Sequence, residues 1–260
     1  MKMNIITSLF LLFLLETGCT SNVQQNKCAT NVQQNKSDIN DEPVNLIVDK
    51  VAVDNSVYNL CSKKFANLIK HPSEKQFFEI VRELDNTDKY KETLLYNLVA
   101  ANKLGIDVAN IRIANCLTQS LSNPYVGKNS KEIALFYLKK GEFATKHKRG
   151  QQIIERFESL STDKTEFIVP VITYKSSEIQ RLKAGSLKGS VEDYKRLKEK
   201  MSNSEMYAFM LYYAYIMADR YAYLPAKEDI VSIVNRFYRE YNLEPIDKDT
   251  QYFCSYFKKI

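Results

Sequence analysis

The chain has 260 residues, 45% hydrophobic and 26% charged, a balance ordinary for a globular protein. Its net charge of +6 permits association with an acidic partner or an anionic surface, but no nucleic acid is expected, because a nucleic-acid reader concentrates its charge on one face or loop. Only 7 Gly and 6 Pro occur and Trp is absent, which disfavours a fold of many short strands and points to long helices.

The chain opens with Lys2 and an apolar run from Ile5 to Leu15, broken only by Thr7 and Ser8. Eleven residues suit the apolar region of a signal peptide and are too few to span a bilayer. The run ends in Glu16-Thr17-Gly18-Cys19. Small residues before a cysteine resemble the lipobox of bacterial lipoproteins, and the resemblance covers residues 1–19. It implies cleavage before Cys19 and lipidation of that cysteine with diacylglycerol and an acyl chain such as palmitate. The lipobox usually has Leu three residues before the cysteine, where this chain has Glu16. An uncleaved anchor and a plain secretory signal are the two alternatives. Two or three acyl chains anchor stably where one does not. No acidic cluster follows Cys19, so the expected address is the outer membrane, facing the periplasm.

Residues 19–27, CTSNVQQNK, recur as 28–36, CATNVQQNK. The tandem copy is polar and has little to bury, so residues 19–43 are expected to form a disordered linker. The duplication also accounts for Cys28, which follows no lipobox. Residues 44–260 remain as the helical domain, ample for a core.

Helical periodicity runs through the body from about residue 56. Ser73 after Pro72 caps a helix carrying Phe77, Phe78, Ile80, Val81 and Leu84. Asp88 starts another through Leu94, Leu95, Leu98 and Val99, ending at Gly105. Asp107 caps a third with Val108, Ile111, Leu117 and Leu121, closed by Pro124. Ser130 opens a fourth through Leu135, Phe136 and Leu138. Ile153, Ile154, Phe157 and Leu160 mark a fifth. Phe167–Thr173, with β-branched residues around Pro170, reads as a connection or a helix start. Gly185 and Gly189 punctuate a turn, and Ser190 opens a helix with Val191, Tyr194, Leu197 and Met201. Met206–Ala218 has no charged or amide side chain over 13 residues, the mark of a buried helix. Pro225 suits a first turn, and Ile230, Ile233, Val234, Phe237, Tyr238 and Tyr241 line one face of the next helix. The fold class is therefore all-α, an array of antiparallel helical hairpins.

Ala134-Leu135-Phe136-Tyr137-Leu138-Lys139-Lys140-Gly141-Glu142 resembles the second helix of tetratricopeptide-like repeats, especially the SEL type. Residues 184–197 and 206–228 are similar to further units. The match covers about half the body and its period is irregular. It implies a protein-binding scaffold without catalytic residues or cofactor.

Five cysteines and two histidines offer no zinc-site spacing. An oxidising compartment allows a disulfide among Cys61, Cys116 and Cys254; the alternative is three small buried residues. His71 and His147 read as solvated, Gly127-Lys128-Asn129-Ser130 lacks the upstream Gly of a phosphate loop, and Glu79, Glu83 and Asp85 fall on polar helix faces. No catalytic residue, cofactor or metal ligand is assigned, and no enzyme is expected. Candidates for a partner surface are Lys139, Lys140, Lys146 and Arg149, whose cations at a helix end also suit the helix dipole, and Tyr212, Tyr215, Tyr221 and Tyr223, mostly core, some lining a groove. The leading expectation is a lipid-anchored protein-binding module with a protein partner, in a concrete version an immunity protein against an antibacterial toxin. A periplasmic hydrolase or glycan-binding lipoprotein, and an envelope-assembly scaffold, are the alternatives. Cys19→Ser is expected to move the protein from membranes to the soluble fraction. Retention of the variant on membranes after fractionation would contradict the anchor.

Overall fold

The computed structural model describes residues 45–85, 90–118, 128–159 and 177–258. The signal segment, the repeated linker, Asp88, Pro124 and Phe167–Thr173 lie outside the described residues. Within them the fold is all-α, with no strand. Helix α1 spans Asn45–Lys70, starting well before the periodic pattern, and α2 spans Glu74–Asp85. Ser73 Oγ accepts a 3.4 Å bond from the Gln76 N–H, the predicted cap. A 3-10 turn at Tyr90–Thr93 leads into α3, Leu94–Asn102, whose core residues are those the apolar spacing selects. Gly105 follows with φ +68°, a left-handed position that a glycine adopts without strain.

Helix α4 is Val108–Leu117. Asp107 precedes it as predicted but makes no side-chain cap there. Its carboxylate instead accepts the Glu142 N–H at 2.8 Å, capping the start of α6, Glu142–Lys146. Helix α5 begins at Lys128, two residues before the expected start, and runs to Lys140. Ser130 is not a cap; its hydroxyl donates to Asp219 at 2.6 Å and bonds Tyr215, so a tertiary partner has claimed it. Gly141 sits buried between α5 and α6, where a Cβ would lie 3.3 Å from Asn110 Cβ on α4. Helix α7 spans Lys148–Ser159.

Helix α8 covers Glu178–Leu187 and α9 covers Val191–Ser202. Gly185 lies inside α8, not in the turn. A Cβ there would fall 1.9 Å from the Asp193 carboxylate, so this glycine sets how closely α8 and α9 approach. Gly189 alone makes the turn, at φ +86°, and Ser190 caps α9 through the Asp193 N–H. Met206–Ala218 is buried throughout, but it is divided: a 3-10 turn at Glu205–Phe209, then α10, Met210–Arg220. Helix α11 runs from Leu224 to Glu240 with Pro225 in its first turn. A last helix, α12 (Lys248–Lys258), has no counterpart in the sequence reading.

Chain neighbours pack pairwise: α3 with α4, α4 with α5, α6 with α7, α8 with α9, α10 with α11. Short connections make such partners antiparallel hairpins. Contacts distant in the chain then close these hairpins around α10, which touches both 3-10 turns, α3, α8 and α9. Helix α12 joins the assembly through side chains: Asn102 on α3 donates to Thr250 at 3.0 Å, and Tyr137 on α5 donates to the Asp249 carbonyl at 3.3 Å.

The three body cysteines are free and buried, the second of the two arrangements the sequence left open, and no disulfide joins them. They sit on α1, α4 and α12. Cys116 accepts a 3.4 Å bond from Asn97 instead of meeting another sulfur. Burial pushes the Cys116 and Cys254 thiols up to about 11, which keeps them protonated and unreactive at neutral pH.

At the centre lies an ion pair. Lys183 on α8 and Glu92 on the first 3-10 turn meet at 3.0 Å with side chains 1% and 6% exposed. Tyr58 on α1 donates to the same carboxylate at 2.7 Å and Tyr213 on α10 at 2.8 Å. Lys183 also donates to Tyr58 and stands over its ring, 4.6 Å from the centroid. Removing one partner of a buried pair strands the other charge, so Lys183→Met is expected to lower unfolding stability by about 3–5 kcal/mol. Lys183→Met with Glu92→Leu should regain most of that loss. Urea unfolding of both variants checks this; equal stability of the single and double variants would contradict it.

Candidate functional site

The eight proposed partner-surface residues do not form one surface. Tyr212 and Tyr215 belong to the core. Tyr215 donates to the Leu117 carbonyl at 3.0 Å and bonds Ser130, holding α10 against α4 and α5. A periodic tyrosine run cannot disclose which hydroxyls will find internal partners. Tyr221 is 39% exposed, lies across Gly189 and donates to the Leu187 carbonyl at 2.8 Å. Tyr223 is half-buried, its ring edge-on to Tyr194. The lysines are engaged: Lys139 with Glu158 at 2.7 Å, Lys140 with Asp249 at 2.5 Å, Lys146 with Glu142 at 2.9 Å. Arg149 is half-buried on α7. The basic cluster is therefore spent mostly on internal acids, not presented as a patch.

A different surface holds uncommitted charge. An open groove of about 530 Å³ runs between α11 and α12. Its α11 wall is Lys227, Glu228, Val231, Ser232, Asn235 and Arg239, and its α12 wall is Phe257 and Lys258. The α11 positions recur every three or four residues, so they share one face. Val231 and the buried Phe257 give the groove an apolar floor. None of Lys227, Arg239 and Lys258 forms an ion pair with another described residue. Against them stands one acid, Glu228. The opposite face of α11 carries Ile230, Val234, Phe237 and Tyr238 into the core. That inner stripe is legible in the sequence, and the outer one follows from it. Only the arrival of α12 turns the outer stripe into a groove.

Asp229 and Lys91, two further buried ionisable groups, are met from within the fold. Asp229 accepts from Tyr194 at 2.7 Å and pairs with Lys198 at 2.5 Å, locking α9 to α11. Lys91 donates to the Thr118 carbonyl at 2.8 Å, and burial pulls its ammonium down to about 8. Among the described residues no His, Cys, Asp and Glu group has the spacing to hold a metal ion, and no helix is long and apolar enough to cross a membrane. Comparison with protein-family models, curated proteins and solved structures gives no match.

Burial raises the buried phenols well above their ordinary value of 10.0, as at Tyr96, Tyr213 and Tyr215. The unfolded chain therefore loses these protons first, and their stabilising contribution falls away above pH 10. The thiols, shifted from 9.0 to about 11, act in the same direction from pH 9. Lys91, shifted from 10.5 to about 8, acts oppositely, adding stability as pH rises from 8. The outnumbering phenols decide the sign at high pH. Stability is expected to fall steeply above pH 10, with tyrosinate absorbance rising together with loss of helical circular dichroism. A tyrosinate titration completed near pH 10 with the helices intact would contradict this.

Proposed function

We propose that the protein is a membrane-tethered helical module that binds an acidic protein partner in the groove between α11 and α12. The observation that carries this reading is the three uncommitted cations around an apolar floor. Several other lysines and arginines, among them Lys139, Lys140, Lys198 and Arg196, are paired with the fold's own carboxylates, whereas these three stand together beside one acid and an apolar floor. Unpaired charge beside apolar surface favours a partner of opposite sign, since complementary charge speeds encounter and fixes register. The helical-hairpin architecture and the repeat resemblance accord with a scaffold role. The lipobox at Cys19 and the polar repeat after it supply the anchor and the reach, putting the groove in the envelope of a bacterial cell. In its concrete form the partner is an antibacterial toxin arriving in the periplasm, and the protein is its immunity lipoprotein.

The test uses the full-length chain in envelope membranes, beside the variant Lys227→Glu/Arg239→Glu/Lys258→Glu. All three positions are at the surface, and the variant is expected to keep the helical circular dichroism of the parent. Cross-linking should recover a partner from the parent, with salt-sensitive affinity, and the reversal should weaken that recovery about tenfold or more. For the immunity form, cells making the parent should survive the toxin and cells making the variant should not. Equal recovery by parent and variant, or recovery indifferent to salt, would sink the proposal.

A further inference from the structure

A second concavity, independent of the groove, lies between α1, the 3-10 turn at Glu205–Phe209 and the end of α11. Its volume is about 150 Å³. Four rings line it: Tyr96, Tyr207, Phe237 and Tyr241. Phe237 is their hub, 4.5 Å from Tyr241, 5.6 Å from Tyr96 and 6.4 Å from Tyr207 between centroids. Glu240 and Lys63 stand among the lining residues, both exposed.

Six buried side-chain atoms among the described residues lack a hydrogen-bond partner, and one of them lines this slot. The hydroxyl of Tyr207 is buried without a hydrogen-bond partner, and the residue is 5% exposed. Six other buried phenols are served: Tyr58 and Tyr213 by Glu92, Tyr96 by Ser62, Tyr194 by Asp229, Tyr238 by Asp247 and Tyr215 by the Leu117 carbonyl. A buried polar group left unpaired is unfavourable, so a group that enters the slot and pairs with it gains what folding forfeited.

The lining says which group. Aromatic faces are electron-rich and attract cations. Tyr207 already takes one: the Arg236 guanidinium lies 3.8 Å from its ring centroid. Burial first, and then the Glu240 carboxylate toward which the hydroxyl is directed beyond the length of an ordinary hydrogen bond, raise the Tyr207 phenol above its ordinary range, so the proton stays on and the oxygen lone pairs remain as acceptors. Glu240 is held only loosely by Arg236, at 3.7 Å, and retains capacity for a second cation. Lys63 is the one lining charge that opposes this.

We propose that this slot binds a small organic cation, an alkylammonium or guanidinium group. Its N–H donates to the Tyr207 oxygen and the Glu240 carboxylate, and its carbon chain lies against Phe237 and Tyr241. The same chemistry is offered by a free amine and by a lysine or arginine side chain of a bound protein.

Titration of the full-length chain with n-butylammonium chloride, followed by nuclear magnetic resonance of the tyrosines, tests this against n-butanol as the neutral isostere. Saturable binding of the ammonium is expected, with butanol at the same concentration leaving the slot signals unmoved. Tyr207→Phe removes only an unpartnered hydroxyl; it should keep the urea midpoint and weaken binding about tenfold. Glu240→Gln should also weaken binding, and Lys63→Gln should tighten it. A lysine-containing peptide that competes with butylammonium, where its acetyl-lysine form does not, assigns the cation to a protein side chain; binding of butylammonium without peptide competition assigns it to a free amine. The proposal is overturned if butanol binds equally, if nothing saturates, or if Tyr207→Phe and Glu240→Gln bind as the parent does. The charge reversals in the α11–α12 groove should leave this binding unchanged, so the two proposals fail separately.

Discussion

The buried pair of Glu92 and Lys183 is the interaction on which the architecture turns. Two charges removed from water are unfavourable unless each is closely met. Here the carboxylate receives Lys183, Tyr58 and Tyr213 together. Those groups come from α8, α1 and α10, and Glu92 from the first 3-10 turn. The four elements must reach one point at one register, or a charge is stranded. Apolar packing alone tolerates sliding and repacking; this cluster does not. It therefore holds hairpins from both halves of the body around the apolar helix α10.

Tyrosine extends the same logic outward. The chain has 17 tyrosines and no tryptophan. Each buried tyrosine brings a large apolar ring and one polar atom that needs a partner. Tyr215 joins α10 to α4 and α5, Tyr194 joins α9 to α11, and Tyr238 joins α11 to Asp247 before α12. The result is a core wired by phenols, which explains both its specificity and its expected weakness in alkali. Tyr207 departs from this rule, and it lines an aromatic slot.

Helix α11 shows how one segment serves several ends. Ile230, Val234, Phe237 and Tyr238 enter the core. Phe237, Glu240 and Tyr241 at its end shape the slot, while Lys227, Val231, Asn235 and Arg239 form a wall of the groove. A rigid helix fixed on its inner side by packing offers its outer side with little motion, which limits the entropy lost on binding. A domain of this kind on a lipid tether would work as a stationary receptor for something that arrives.

Much of the fold was legible in the sequence, and for local reasons. The spacing of Phe77, Ile80 and Val81, of Leu94, Leu98 and Val99, and of Ile230, Val234 and Phe237 reports helices because the period of 3.6 places them on one face. Ser73 and Ser190 report helix starts because a cap bonds within its own turn. The unbroken apolar run Met206–Ala218 reports burial because nothing in it needs water. What failed depended on partners far along the chain. Ser130 serves Asp219 and Tyr215, Asp107 caps α6, and Gly185 makes room for Asp193. The cysteines lie apart in three helices, and Lys139 and Lys140 are neutralised by Glu158 and Asp249 farther along the chain. Helix α12 was missed because its hold on α3 and α5 runs through polar side chains and leaves only a short apolar stripe. The groove and the slot were beyond reach for the same reason: each is made by segments distant in the chain. Periodicity and capping, which act over a few residues, let the sequence determine the helices; long-range pairing of charges and hydroxyls, which only the folded chain brings together, decided where they meet and what they leave exposed.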